Sequence, residues 1–317
     1  MPYPIFSNRF LLAYLITMRP YLLFISGAAG LVGLAFIKET LPVWKIILAF
    51  IPLFLSYGFG QALTDRFQTD TDAISSPYRP LVQGQILKNH VLIFSLVGLA
   101  ICVVLLTYLN PEILVLGFLA VIGLLTYTYF KRTWWGGPPW NAWIVAILPI
   151  MGRMVELRTL GDLKELSFFL SVLAIFFGYA NFVIMGYFKD ISADKKTGYK
   201  TFPVVFGWWK ACVYSDLTAL LTATFTIGTL ILTHNINPFG MTIFIIALLI
   251  NLYAQIKIHL IRDEDKTYGA ITNVVRAFIL YCLSIIVTLK IQWLIFITIF
   301  YCLFEITLRL RPEKTQV

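Results

Sequence analysis

Charge is what this chain has least of. Asp, Glu, Lys and Arg together make up 13% of its 317 residues, about half their share in an ordinary soluble domain, and that excludes a water-soluble globule of common composition. Cysteine is scarce as well. The four, Cys102, Cys212, Cys282 and Cys302, fall in or beside apolar stretches without CxxC spacing, so neither a disulfide framework nor a thiolate metal site is indicated. The three histidines, His90, His234 and His259, are scattered at expected helix ends and read as interfacial groups. A cleavable signal peptide is not expected, because Arg19-Pro20 interrupts the first apolar stretch and no small-residue cleavage site follows.

Apolar length is what the chain has in abundance, with 59% hydrophobic residues. Runs long enough to cross about 30 Å of hydrocarbon lie near residues 10–36, 43–64, 90–108, 112–130, 140–158, 166–188, 211–233, 238–260, 270–289 and 291–308. The expectation is an all-α polytopic membrane bundle of nine or ten transmembrane helices in one domain, 1–317, with the last two runs the least separate.

Basic residues set the orientation. With ten spans and the N-terminus inside, the inside segments hold Arg9, then Arg66, Arg79 and Lys88, then Lys131 and Arg132, then Lys189, Lys195, Lys196, Lys200 and Lys210, then Lys257, Arg262 and Lys266, with Arg309, Arg311 and Lys314 at the end. The outside loops hold only Lys38, Lys45, Arg158, Lys164 and Lys290. The expected location is the cell membrane, multi-pass. Basic loops facing anionic headgroups account for the net charge of +9, and no nucleic-acid partner is implied.

Two acidic runs stand where apolar segments meet these basic loops. The first is Gln61-Ala62-Leu63-Thr64-Asp65-Arg66-Phe67-Gln68-Thr69-Asp70-Thr71-Asp72, followed by Pro77-Tyr78-Arg79-Pro80; the second is Asp190-Ile191-Ser192-Ala193-Asp194-Lys195-Lys196-Thr197-Gly198. Carboxylates at the mouths of membrane helices call for a cation, and a divalent metal beside lysine and arginine suggests a phosphate-bearing substrate. On a continuous helix Gln61, Asp65, Gln68 and Asp72 would share one face. Asp65 and Asp72 would then stand roughly 10 Å apart along the axis, a span suited to two ions bridged by a diphosphate. Asp190 and Asp194 fall at i and i+4, one turn apart, with Gly198 placed to end the helix. A solvated helix end is the plain alternative for either run alone. Both on one side, with Lys131-Arg132 between them, favour a shared site.

These residues resemble the intramembrane prenyltransferases of the UbiA superfamily over most of the chain. Asp72-Ala73-Ile74-Ser75-Ser76-Pro77-Tyr78-Arg79-Pro80-Leu81 with Gly84 is similar to the end of that family's first aspartate motif, and Asp190 to Asp194 continuing through Gly207 is similar to its second. Arg19-Pro20 and the segment from Tyr127 to Arg132 also resemble family positions. One departure stands out. The family's first motif has the form NxxxDxxxD, and anchoring on Asp72 puts Thr64 at the asparagine and Gln68 at the first aspartate; anchoring on Asp65 puts Gln61 at the asparagine and Thr69 at the last aspartate.

The resemblance implies a bundle of about nine helices around a central cavity open to lipid, with its active site on the cytoplasmic side. It implies an Mg²⁺-dependent enzyme that ionises an isoprenyl diphosphate and passes the prenyl group to an acceptor, expected to be aromatic. Asp65, Asp72, Asp190 and Asp194 are the expected catalytic and metal-binding residues. Gln61, Gln68, Arg79, Lys131, Arg132, Asn141 and Lys195 are the expected substrate-binding ones. Aromatic residues, 16% of the chain, suit a cavity that tolerates an allylic cation. The alternatives are a terpene cyclase on the same scaffold, a transferase of another phospho-substrate, and a transporter or inert scaffold. Arg153 and Glu156 are expected to pair on the fifth helix, and Arg276 with Glu305 across the last two.

Overall fold

The structure is a computed structural model that describes residues 2–157, 163–233 and 236–312. Arg158, His234 and Lys314 lie outside the described residues. Among the described residues there are thirteen α-helices and no strand, as apolar runs of this length require when every backbone group must be satisfied within the bilayer.

The first span is broken. Helix α1 (Asn8–Met18) starts where the Phe10 N–H donates to Ser7 Oγ at 3.2 Å, and it ends at Arg19, whose φ of 53° is left-handed. Pro20 has no N–H to continue the ladder. A single 3₁₀ turn, Pro20–Leu22, leads into α2 (Leu23–Ala35), and the pair is bent by 45°. The break places a guanidinium inside the bundle.

Helix α3 (Val43–Arg66) follows, then the short α4 (Thr69–Ser75), α5 (Lys88–Leu109), α6 (Ile113–Lys131) and α7 (Gly137–Met154). Gly33 on α2 and Gly152 on α7 are spaced so that neither has room for a Cβ: the Pro149 carbonyl faces one and the Gly30 carbonyl the other. Small residues let the two backbones touch, the usual basis of tight packing between membrane helices. Helix α8 (Leu166–Tyr187) packs on α7 and leads into the six-residue α9 (Ile191–Lys196). Helix α10 (Phe202–Leu232) breaks at Gly207, φ 80°, so the expected span from 211 begins beyond a separate entry turn.

Helix α11 (Pro238–Leu260) packs on α12 (Tyr268–Leu289), the central rod, of whose apolar window 89% is buried. A 3₁₀ turn, Ile291–Trp293, separates α12 from α13 (Leu294–Arg309), which is only 22% buried and faces outward. The last two runs are therefore separate helices. The expected pair between them is present, with Arg276 Nε and Nη2 donating to Glu305 Oε1 and Oε2 at 2.7 and 2.9 Å. Arg153 and Glu156 do not pair. Helix α7 ends at Met154, the i,i+3 geometry is lost, and Arg153 bonds Glu165 while Glu156 bonds Lys45. Among the described residues eight helices are long and apolar enough to cross a membrane, or nine with the bent pair counted as one; α7, of 18 residues, packs among them.

Candidate active site

A cavity of about 1050 Å³, counting its mouth, lies between the broken first span and α3, α5, α6, α7 and α8. One end is ionic and the other apolar. The apolar end is walled by side chains such as Leu99, Leu124, Leu148 and Phe182. Four tyrosines stand along the cavity as two hydroxyl pairs, Tyr57 with Tyr179 at 3.0 Å and Tyr127 with Tyr187 at 3.3 Å. Asn141 lines the wall and hydrogen-bonds Tyr127.

The first acidic run folds differently from its expected stripe. Helix α3 stops at Arg66 and Gln68 becomes the N-cap position of α4, with φ −117° and ψ 15°. The 61–72 segment is therefore not one helix, and Asp65 and Asp72 are not spread along a single axis. A turn after α4, in which the Arg79 N–H donates to the Ser76 carbonyl at 3.1 Å, brings Arg79 back beneath both carboxylates. Its Nη1 contacts Asp72 Oδ2 and lies 3.7 Å from Asp65 Oδ2.

Asp65 is held further by Arg19, whose Nη2 donates to Oδ1 and Oδ2 at 3.0 and 2.9 Å, and by Gln61 Nε2, which donates to Oδ1 at 2.7 Å. Gln68 Oε1 accepts from Lys131 Nζ at 2.7 Å. Lys131 also lies over the rings of Tyr187 and Tyr199, 5.6 and 5.5 Å from their centroids, within cation–π range. All five of Arg19, Asp65, Gln68, Asp72 and Arg79 are buried. Burial works against the Arg79 charge and Asp72 and Asp65 work for it, with a net upward shift; burial also raises Asp72.

The second run keeps its expected turn. Asp190 caps α9 and its carbonyl accepts from the Asp194 N–H at 2.8 Å. Gly198, φ 78°, closes the helix as expected: the Tyr199 N–H donates to the Asp194 carbonyl at 2.8 Å and the Gly198 N–H to that of Lys195 at 3.4 Å, the Schellman pattern. This returns Thr201 to Asp194, whose Oδ2 accepts from Thr201 Oγ1 at 3.1 Å. Asp194 Oδ1 is buried and has no hydrogen-bond partner among the described residues. Burial pushes the Asp194 carboxyl up to about 7 against the downward pull of Lys131. Lys189 lines the cavity, and burial brings it down to about 7.

Gln61, Asp65, Gln68, Asp72, Arg79, Lys131, Asn141 and Asp190 thus line one cavity. Asp194 sits behind that lining. Arg132 and Lys195 are not part of it. Lys195 is exposed because the turn of α9 that buries Asp194 points the next residue outward. Arg132 lies at the surface, where Nη2 donates to Asp70 Oδ2 at 3.1 Å and to the Tyr199 hydroxyl at 3.3 Å. Tyr199 OH in turn donates to Asp70 Oδ1 at 3.1 Å, so the three form a clasp over α4, α6 and α9. Arg19 and Lys189 line the cavity and were not among the expected site residues. The signal for Arg19 was a cation inside an apolar run; Lys189 had been counted with the loop charges.

The donors fit a divalent cation unevenly. Among the described residues no three His, Cys, Asp or Glu side chains are grouped to hold one ion. At the first run the carboxylates face guanidinium groups and the Gln68 oxygen faces an ammonium. The second run offers Asp190 at the cavity wall and the unpartnered Asp194 oxygen.

Comparison with known proteins agrees with this architecture. A model of the UbiA prenyltransferase family matches residues 23–274. The chain is 27% identical to digeranylgeranylglyceryl phosphate synthase of Pyrococcus abyssi over 66% of this chain and 74% of that one, and 31% identical to the synthase of Thermococcus sibiricus over 60% and 67%. It is 27% identical to the chloroplastic chlorophyll synthase of Avena sativa over 59% and 52%. Its fold matches a UbiA homolog from Aeropyrum pernix K1 at a TM-score of 0.70 and 19% identity over 85% and 97% of the two chains. It matches a UbiA homolog from Archaeoglobus fulgidus bound to DMAPP and Mg²⁺ at 0.63 and 18% over 86% and 98%.

Proposed function

The chain belongs to the UbiA prenyltransferase family, and from that premise we propose that it ionises an isoprenyl diphosphate in this cavity and transfers the prenyl group to a neutral, electron-rich aromatic acceptor. The observation that carries the reading is the cavity's division. At one end stand Arg19, Arg79, Lys131 and Lys189, and the Nε atoms of both arginines are buried without a hydrogen-bond partner among the described residues. Unpaired buried N–H donors are costly, and oxygens of an anion would satisfy them. At the other end the wall is apolar, as a prenyl chain requires. A relative bound to DMAPP and Mg²⁺ has this fold, which supports the same substrate class.

In the mechanism the C–O bond of the allylic diphosphate breaks and its electron pair leaves with the diphosphate. Arg19, Arg79 and Lys131 stabilise the charge that builds there, and preorganised donors of this kind lower the barrier without reorganisation. Mg²⁺, held by Asp190 and Asp194, would supply further neutralisation of the leaving group. The tyrosine rings face the allylic cation, and the apolar wall keeps water from it. The acceptor's ring carbon bonds to the cation and the proton on that carbon passes to the released diphosphate. All four basic residues that line the cavity stand at the ionic end, which leaves none for the phosphate of a second substrate and favours an acceptor without one.

The bias of basic residues supports a cytoplasmic position for this end, in the cell membrane. Labelling of a Lys195→Cys variant by an impermeant thiol reagent in cells and in inverted vesicles tests that: reaction only in inverted vesicles is expected.

The test of function is diphosphate release by the purified chain given allylic diphosphates, with Mg²⁺ or EDTA, and with aromatic or glyceryl phosphate acceptors. Magnesium-dependent release that needs an aromatic acceptor and yields its prenylated adduct is expected. Release without acceptor, giving a hydrocarbon or terpene alcohol, replaces transfer with cyclisation, and dependence on a glyceryl phosphate overturns the acceptor class.

A further inference from the structure

We propose that this chain holds its diphosphate with one divalent cation, bound at the second acidic run, and that the Lys131 ammonium seated on Gln68 does the work of another at the first. The inference rests on the function proposed above and concerns how the same site divides its positive charge.

The first run has carboxylates, but three of their four oxygens are already paired with guanidinium or amide groups. Asp65 accepts from Arg19 through both oxygens and from Gln61 through one, and Arg79 Nη1 lies 3.7 Å away. Asp72 is in contact with the same Nη1. A carboxylate offers about four lone-pair positions, so an ion on Asp65 would have to displace a buried guanidinium. Separating such a pair leaves a charge uncompensated in low dielectric, which opposes the exchange.

Gln68 decides the rest. It stands four residues before Asp72, beside carboxylates already paired with guanidinium groups, and it is neutral. Its Oε1 accepts from Lys131 Nζ at 2.7 Å, with both residues buried. An amide fixes an ammonium without cancelling its charge, whereas a carboxylate would neutralise it. Lys131 therefore presents a positioned positive charge to the cavity that it lines.

The second run is the opposite case. Asp194 is fully buried and its Oδ1 has no partner among the described residues, a condition that a buried carboxylate oxygen rarely tolerates. Asp190, one turn away, lines the cavity. These two supply oxygen donors to one ion, and Mg²⁺ takes its remaining positions from phosphate oxygens and water.

The experiment counts ions. Mn²⁺ is titrated into the full-length, detergent-purified chain by electron paramagnetic resonance, alone and with inorganic pyrophosphate, so the readout does not depend on turnover. With pyrophosphate, about one Mn²⁺ per chain is expected for the native protein and for Gln68→Asp, with pyrophosphate held more weakly by the latter, and none for Asp194→Asn. Lys131→Met is expected to weaken pyrophosphate roughly tenfold without changing the Mn²⁺ count. Two ions on the native protein, or a second ion on Gln68→Asp with its pyrophosphate affinity undiminished, overturn the inference and leave prenyl transfer standing. No Mn²⁺ on a native protein that still releases diphosphate from an allylic donor overturns the inference alone; no Mn²⁺ and no release overturn the functional reading with it.

Discussion

The two acidic runs have similar lettering and opposite environments. In the first, the backbone breaks at Phe67–Gln68 and the carboxylates of α3 and α4 close on Arg79, with Arg19 behind them. In the second, a six-residue helix ends in a tight glycine turn and leaves one carboxylate oxygen buried without a donor among the described residues. The first run is an ion-pair network that holds three segments together, with only the Nε atoms of Arg19 and Arg79 unpartnered among the described residues; the second leaves a buried carboxylate oxygen without a counter-charge in contact. Spacing between acidic residues does not distinguish the two. What surrounds each carboxylate does.

From that contrast, substitutions in the first run should be read in stability as well as in turnover, and those in the second mainly in turnover. Arg79→Ala has the largest expected effect, because it leaves Asp65 and Asp72 buried without their shared partner. Removing one member of a buried pair costs about 3–5 kcal/mol, so thermal unfolding in detergent should move down by several degrees or the chain should fail to accumulate. Asp194→Asn keeps the shape and removes the charge. Its melting temperature should stay near the native value while diphosphate release falls roughly 100-fold or more, and a large drop in melting temperature with little loss of rate would erase the distinction.

A finer probe lies outside both runs. Glu264 accepts from the Ser192 N–H at 3.0 Å and from Ser192 Oγ at 2.6 Å, which ties the α11–α12 connection to the start of α9. Glu264→Ala should cost about 1 kcal/mol in stability and raise the KM for the prenyl donor a few-fold with kcat little changed; steady-state kinetics would show the split. Smallest of all is Lys195→Ala. The side chain is exposed and beyond the cavity, so unfolding should shift by less than about 0.5 kcal/mol with turnover unaltered, and a marked loss would return Lys195 to the substrate site.

Legibility in the sequence followed the same divide. Asp190 and Asp194 could be placed because their relation is local: an i,i+4 turn and a glycine stop need no knowledge of the rest of the chain. The membrane spans were legible for a similar reason, since apolar length alone reveals them. Asp65 and Asp72 were misplaced because helical periodicity assumes an unbroken helix, and nothing in the lettering at Phe67-Gln68 announces a break without a proline or glycine. Arg19 was visible as an anomaly, but its partner is 46 residues away, a separation that pattern cannot bridge. Arg153 was paired with the wrong acid because α7 ends a turn earlier than its apolar run. Arg132 and Lys195 were grouped with the site by charge and proximity in sequence, and their exposure was decided by helix rotation.

The broken first span also bears on how the chain is made. Arg19 leaves the ribosome well before Asp65, so for a time the membrane receives a guanidinium with no counter-ion. A single arginine near the middle of a helix opposes insertion by about 2.5–3.5 kcal/mol, and pairing with Asp65 offsets that cost only once α3 is in place. The second hairpin arm therefore settles the first. A chain stopped before Val43 should cross the bilayer less completely than one extended past Arg66.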